Sequence, residues 1–282
     1  MIHRTDLALE QFSADALPDG VSCQTRGTAF RVTEIRIEDD SLRPLMGRGK
    51  GRYITLEAGS LSRFSDDYEE MAVELAEELR GFIPEGDVLV AGLGNMDITP
   101  DAVGPMTASR VLATRHLQDE LDPHEEDFLT SLRKVSSVAP GVLGQTGVET
   151  AELLKGICRE IAPAAMIAVD ALACSDISRL GTTIQISDAG ISPGSGVSNA
   201  RRELSRELYG IPVIAVGVPT VVDIYTIIRN ATDRVPAPGL PNMLVTPRDI
   251  DRLTERASQL LAFGINLALH PALSFSDVRG LF

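Results

Sequence analysis

The chain has 282 residues, 44% of them hydrophobic and 23% charged, the balance of a globular protein long enough to bury a sizeable core. Its 40 acidic and 26 basic residues give a net charge of −14, a field that repels phosphate backbones and anionic lipid and argues against direct nucleic-acid or membrane binding. No apolar run approaches the roughly 18 residues that span a bilayer, the opening residues do not read as a signal peptide, and Cys23, Cys158 and Cys174 are too scattered for a disulfide framework or a zinc site, pointing instead to a reducing interior.

The first 20 residues are polar and lack periodicity, so they are expected to be mobile. Residues 29–37 alternate as a half-exposed strand does. Residues 41–52 set Gly47, Gly49 and Gly51 among Arg48, Lys50 and Arg52, a flexible basic loop, and Tyr53–Ala58 reads as the next strand. Residues 66–80 are an amphipathic helix with acids in the first turn and Arg80 in the last, matching the helix dipole, and Gly81 ends it. A strand at 87–93 leads through a glycine turn to a helix over 102–117, and 118–134 reads as an exposed acidic connection. A glycine-punctuated loop at 139–147 precedes a helix at 149–161, a strand at 164–170, a short helix and a strand at 182–187. A second glycine-rich loop, 188–198, feeds a charged helix at 199–208. Residues 211–218 are a further buried strand, 234–242 hold three prolines and can be neither helix nor central strand, and a helix runs from about Pro247 to His270. With no repeats and no clear linker, this is one α/β domain.

Two apolar strands deliver an acid at or just past their carboxyl ends. One is Asp87–Asn95, followed closely by Asp101; the other is Ala164–Asp170. Ligands of α/β sheets bind at that edge, so Asp101 and Asp170 are the candidate catalytic pair. The competing reading of Asp101 is a helix cap in the first turn after Pro100. The Gly92-Leu93-Gly94 turn lacks a third glycine at dinucleotide-binding spacing, and Asn95 beside it can hydrogen-bond local backbone. In the loop 191–199, Gly194, Ser195 and Gly196 could offer backbone N–H groups to an oxyanion or a substrate backbone, as Asn95 could, or could form a plain turn. Asp97 and Asp188 are possible helpers that read better as structural. Cys174 follows Asp170 but has no partner base. His116 and His124 show no ligand spacing, so no cofactor and no metal are expected, although the two aspartates could hold a divalent ion between them.

The segments GRYITLEA (51–58), GLGNMDITPDAVGP (92–105), APGVLGQTGVET (139–150), AVDALA (168–173), TTIQISDAGISPGSGVSNARREL (182–204) and GIPVIAVGVPTVVD (210–223) resemble, in this order, the spore germination protease family. The arrangement of strand, Gly-x-Gly-Asn and acid also looks like the hydrogenase-maturation peptidase fold. The resemblance implies a three-layer α/β/α architecture on a mixed, largely parallel sheet. It implies an endopeptidase of atypical aspartic type that cuts small acid-soluble spore proteins in the spore core, with Asp101 and Asp170 at the positions of the family's implicated aspartates. It further implies a homo-oligomer, a tetramer, and a self-processing precursor. Asp6-Leu7-Ala8 matches the family's acid–apolar–Ala cleavage pattern, so residues 1–6 are the expected leader, 7–282 the peptidase, and Asp6–Leu7 the processing bond. An ordinary frayed terminus is the plainer reading of the same residues. Relatives carry a longer leader and, between Asp223 and Asn242, an insertion tens of residues longer. The alternatives are a maturation-type peptidase that recognises a metal in its substrate, and a non-catalytic module that captures basic or disordered partners.

Overall fold

The computed structural model describes residues 5–11, 17–63, 65–119, 131–194, 202–232, 241 and 243–281. Strands Val21–Arg26 (β1), Arg31–Ile37 (β2), Gly51–Glu57 (β3), Val88–Gly92 (β4), Val135–Val138 (β5), Ala165–Cys174 (β6), Thr183–Ser187 (β7), Val213–Asp223 (β8) and Leu244–Val245 (β9) form one sheet. Its order is β1-β2-β3-β7-β8-β6-β4-β5, with β9 on β8. Strands β8, β6, β4 and β5 run parallel, and β1, β2, β3 and β7 continue the sheet antiparallel. Every residue of β4 and β8 is buried, which is why those strands read as unbroken apolar runs.

Helices Tyr68–Arg80 (α1), Val103–Ala108 (α2), Thr150–Ile161 (α3), Ile224–Thr232 (α4), Ile250–Leu269 (α5) and Phe275–Leu281 (α6) accompany the sheet. Side chains alternate across a strand, so Val88, Val90, Ile167 and Val169 join one core with Leu75 and Leu79 of α1 and Leu260 and Leu261 of α5. Leu89, Ala91, Met166 and Ala168 join another with Ala151 and Leu154 of α3. Helices on both faces give the three-layer α/β/α arrangement. In α1, Glu69 and Glu70 lie in the first turn and Arg80 in the last, as the dipole favours.

Several elements differ from the sequence reading. The expected helix over 102–117 is broken into Val103–Ala108 and Arg115–Asp119. Asn266, fully buried on α5, takes the N–H of Leu112 at 2.9 Å and donates to the carbonyl of Arg110 at 2.9 Å, capturing the groups that would continue the helix. Strands β1 and β5 and helix α4 were not expected, and β6 and β8 run on to Cys174 and Asp223, past the expected ends at 170 and 218. The side chain of Asp223 starts α4 by accepting from the N–H and the hydroxyl of Thr226. The basic loop contains a helical turn, Arg43–Met46. Of the expected charged helix at 199–208, the described residues give the turn Arg206–Tyr209, while Leu204 pairs with Ile191. Much of 118–134 and nearly all of 234–242 lie outside the described residues.

The opening segment is the largest departure. Residues 5–11, expected to be mobile, are docked on the sheet, with Leu7 and Ala8 fully buried and Ala8–Gln11 in a 3-10 turn.

One contact positions everything at the carboxyl edge of the sheet. A Cβ on Gly92, the last residue of β4, would lie 2.2 Å from the carbonyl oxygen of Gly104. One on Gly104 would lie 2.2 Å from that of Leu93 and 2.4 Å from that of Val169. Only a pair of glycines lets α2 settle this closely on β4 and β6. Gly104→Ala is expected to lower stability by about 1–3 kcal/mol, the usual cost of overpacking, and to disturb the turn carrying Asp101. An unchanged urea midpoint would show that the helix can shift freely.

Candidate active site

Asp101 and Asp170 arrive from adjacent parallel strands. Asp170 lies within β6, 5% exposed, with Oδ1 accepting from the N–H of Ala171 at 3.0 Å. Asp101 closes the 3-10 turn Thr99–Asp101 between β4 and α2. Its Oδ2 accepts the N–H of Asn95 at 2.7 Å. Gly94 makes this possible: its φ is +111°, and a Cβ there would lie 2.0 Å from the carbonyl oxygen of Asp101. The turn is held from outside by Thr220, which donates to the carbonyl of Pro100 at 2.7 Å, and by Thr254, which donates to that of Thr99 at 3.1 Å.

The two carboxyls share a cleft of about 440 Å³, also lined by Asp6, Asn95, Gly194 and Thr220. Burial pushes the Asp170 carboxyl well above the usual carboxylate range, and the nearby charges of Asp101 and Asp6 push the same way. Burial raises Asp101 as well, opposed by the Asn95 N–H. Two such acids favour one shared proton over two charges.

The opening segment enters this cleft. Strand β4 ends at the pair Gly92–Val169, so β6 runs past it from Asp170 onward. There the N–H of Asp6 donates to the carbonyl of Ala173 at 2.9 Å, and the N–H of Ala173 donates to Oδ2 of Asp6 at 2.8 Å. Leu7 packs with Leu172, Cys174 and Val222. The Gln185 side chain bridges the next peptides, donating to the carbonyl of Asp6 at 2.6 Å and accepting from the N–H of Ala8 at 2.5 Å. Farther on, the Glu10 carboxylate, its side chain 3% exposed, accepts from the N–H and the hydroxyl of Ser175 at 2.7 Å each and from the N–H of Asp176 at 2.9 Å, with Arg179 at 3.8 Å. Thr5 bonds to Glu10 too, and Arg48 donates to the carbonyl of Thr5 at 2.8 Å.

The other sequence candidates are distributed as follows. Asn95 lies in the cleft; its Oδ1 accepts from Gln145 at 2.7 Å, and Gln145 also reaches Asp97 at 3.1 Å, so Asp97 braces Asn95. Gly194 lines the cleft with φ +72°, while Ser195 and Gly196 lie outside the described residues. Asp188 accepts the N–H of Arg52 at 2.7 Å and borders a neighbouring cavity that Asp6 and Gln185 also line. Cys174 is fully buried and its thiol is pushed up to about 12, first by burial and then by Glu10 and Asp176, which leaves it no nucleophilic thiolate. His116 is exposed on a helical turn, and His124 is outside the described residues. No cluster of three or more His, Cys, Asp or Glu suited to a metal occurs among the described residues. Gln185, Ser175, Arg179 and Glu10 were missed by the sequence reading, because nothing local in the chain says that residues 5–11 will lie against them.

Fold and cleft define an α/β protein with an acid pair, one member buried, in a cleft at its parallel strand ends. A family model described as germination protease matches residues 10–236. Proteins named germination protease are similar along nearly the whole chain. That of Caldanaerobacter subterraneus subsp. tengcongensis is 40% identical, over 99% of this chain and 97% of its own. That of Clostridium tetani is 36% identical over 98% of each, and that of Bacillus velezensis 35% identical over 99% and 96%. The chain belongs to the germination protease family and is a peptidase. Among solved structures, a [NiFe] hydrogenase maturation protease, HycI from Thermococcus kodakarensis KOD1, is similar at a TM-score of 0.38 and 18% identity, covering 66% of this chain and 96% of its own.

The acid pair makes stability depend on pH. Folded Asp170 keeps its proton to higher pH than it does in the unfolded chain, so the folded state binds the extra proton in the window above the ordinary carboxylate value. The stability it contributes is complete below that value and is lost as pH rises through the folded one. Asp170→Asn is therefore expected to lose less stability than wild type between about pH 4 and pH 8. Thermal melts with the same pH slope for both proteins would refute this.

Proposed function

We propose that the chain is an endopeptidase of paired-carboxylate type that cuts small acid-soluble spore proteins during germination and is made as a precursor that cleaves itself between Asp6 and Leu7. The observation carrying this reading is the placement of Asp6 in the cleft that holds Asp101 and Asp170, with Leu7 buried next to it against Leu172, Cys174 and Val222. A merely frayed terminus has no need of a buried Leu7, a buried Glu10 and a two-point amide clamp. The acid–apolar–Ala sequence at 6–8 supplies the substrate pattern, and family membership supplies the germination setting. The spore-core location, the tetrameric assembly and the division into leader 1–6 and peptidase 7–282 rest on the family resemblance.

In this mechanism Asp101, its Oδ2 held by the Asn95 N–H, is the ionised partner. It takes a proton from water as the water oxygen bonds to the carbonyl carbon of Asp6. Asp170, more deeply buried, holds the pair's proton and passes it to the nitrogen of Leu7 as the C–N bond breaks. No covalent enzyme intermediate forms.

Incubation with a small acid-soluble spore protein is expected to give discrete fragments. Asp101→Asn and Asp170→Asn each abolish them, and the double variant is hardly worse than either single one, because the carboxyls act as a unit. Near wild-type turnover in one single variant would remove that residue from the mechanism. The processed chain is expected to begin at Leu7 by N-terminal sequencing after incubation at mildly acidic pH, where one acid keeps its proton. Any other terminus sinks self-processing at this bond.

A further inference from the structure

The Asp6 carbonyl is held by a side chain that the acid pair does not include. Gln185 stands on β7 in register with Gly217 of β8, which is in register with Asp170 of β6. The three occupy one row of the sheet, so Gln185 and Asp170 face the same way two strands apart, about 10 Å between their backbones. Gly217, between them, contributes no side chain. Leu172 packs over it, since a Cβ there would lie 2.6 Å from Leu172 Cγ, and Leu7 belongs to the same apolar cluster as Leu172. The chain at Asp6–Leu7 is thus seated above the sheet, beside the acid pair and within reach of Gln185.

The orientation of the Gln185 amide is fixed by its two partners. One is a carbonyl, which can only accept, and the other an N–H, which can only donate. Nε2 must therefore face the Asp6 oxygen, and Oε1 the Ala8 N–H. Gln185 is 8% exposed, and Asp6 O is the oxygen of the bond proposed to be cut.

We infer that Gln185 is a catalytic residue that donates its side-chain N–H to the carbonyl oxygen of the scissile peptide and stabilises the negative charge that develops there. The inference rests on the reading of Asp6–Leu7 as the processed bond. As water adds to the Asp6 carbon, the C=O π pair moves onto that oxygen, and an N–H already aligned to it strengthens its hydrogen bond without reorganisation. The pair returns to re-form C=O as the C–N bond breaks, and Gln185 neither gains nor loses a proton. Its carbonyl end, holding the Ala8 N–H, keeps the segment beyond the cut in register. No backbone N–H from the Gly194 loop has to serve this oxygen.

The test uses the full chain and follows the first-order rate of the Asp6–Leu7 cut, alongside amide hydrogen exchange of residues 7–11. Gln185→Ala is expected to slow the cut about 100- to 1,000-fold, the usual effect of removing one such donor, while the segment stays protected through Leu7 and Glu10 at every amide but that of Ala8, whose acceptor the substitution removes. Gln185→Glu guards against a folding defect: it is expected to lose the cut at neutral pH and recover it as pH falls, relative to wild type, because a protonated carboxyl donates again. A cut within about threefold of wild type in Gln185→Ala overturns the role. So does a slow cut accompanied by loss of protection at Leu7 and over residues 9–11, which would make Gln185 a docking clamp only. Asp101→Asn separates the two ideas. If it still makes the cut, the acid-pair reading falls; if it is silent while Gln185→Ala cuts normally, only the role of Gln185 falls. A wild-type chain that never makes this cut overturns both.

Discussion

The site depends on one steric fact, the approach of two glycine backbones where β4 hands over to α2. Gly92 and Gly104 leave no room for a side chain on either partner. The short helix α2 therefore lies directly on the ends of β4 and β6, and the turn before it is carried over Asp170. The N–H of Leu93 bonds to the carbonyl of Val169 at 2.7 Å, extending the strand pairing into the turn itself. Threonines from β8 and α5 then fix the two carbonyls before Asp101. A loop without these ties could carry the same acid and not hold it there, since loops are the mobile part of a fold.

That placement has an electrostatic consequence. Removing a carboxylate from water is costly unless it is paired or hydrogen-bonded, and among the described residues Asp170 has only the Ala171 N–H to set against its burial. A negative neighbour adds to the cost. Asp101 is better supplied, through an Asn95 whose own side chain is braced by Gln145 and Asp97. The pair is thus asymmetric by construction, and the asymmetry follows from burial, hydrogen bonding and neighbouring negative charge.

Much of this was legible in the sequence. Buried parallel strands betray themselves as apolar runs, and both runs that carry the acids were placed within a residue or two at their starts. The Gly92–Gly104 stretch and Asp101 were visible because strand, turn and helix start are local signals. What the sequence hid is non-local. Asn266 breaks a helix more than a hundred residues away in the chain, and α2 ends there although its local pattern continues. Strand β5, Val-Ser-Ser-Val, has too little apolar content to stand out, and it exists because β4 offers an edge. Leu7 and Glu10 look like residues of a polar tail, and their burial is decided by the surface of β6 and the turn after it.

The docked segment also bears on the chemistry it meets. Its Asp6 carboxylate is bound by the Ala173 N–H and adds to the charges that raise Asp170. In the intact chain the protonated form of Asp170 is therefore favoured by three causes together: burial, Asp101 and the segment's own acid. On the proposed cut, residues up to Asp6 become a separate peptide, and its departure removes one of these causes. What remains is burial and Asp101, which belong to the body of the protein. A substrate bringing its own acid to the place of Asp6 would restore the third. An acid before the scissile bond would then be more than a specificity handle, because it would help to keep the proton on the carboxyl proposed to deliver it to the leaving nitrogen.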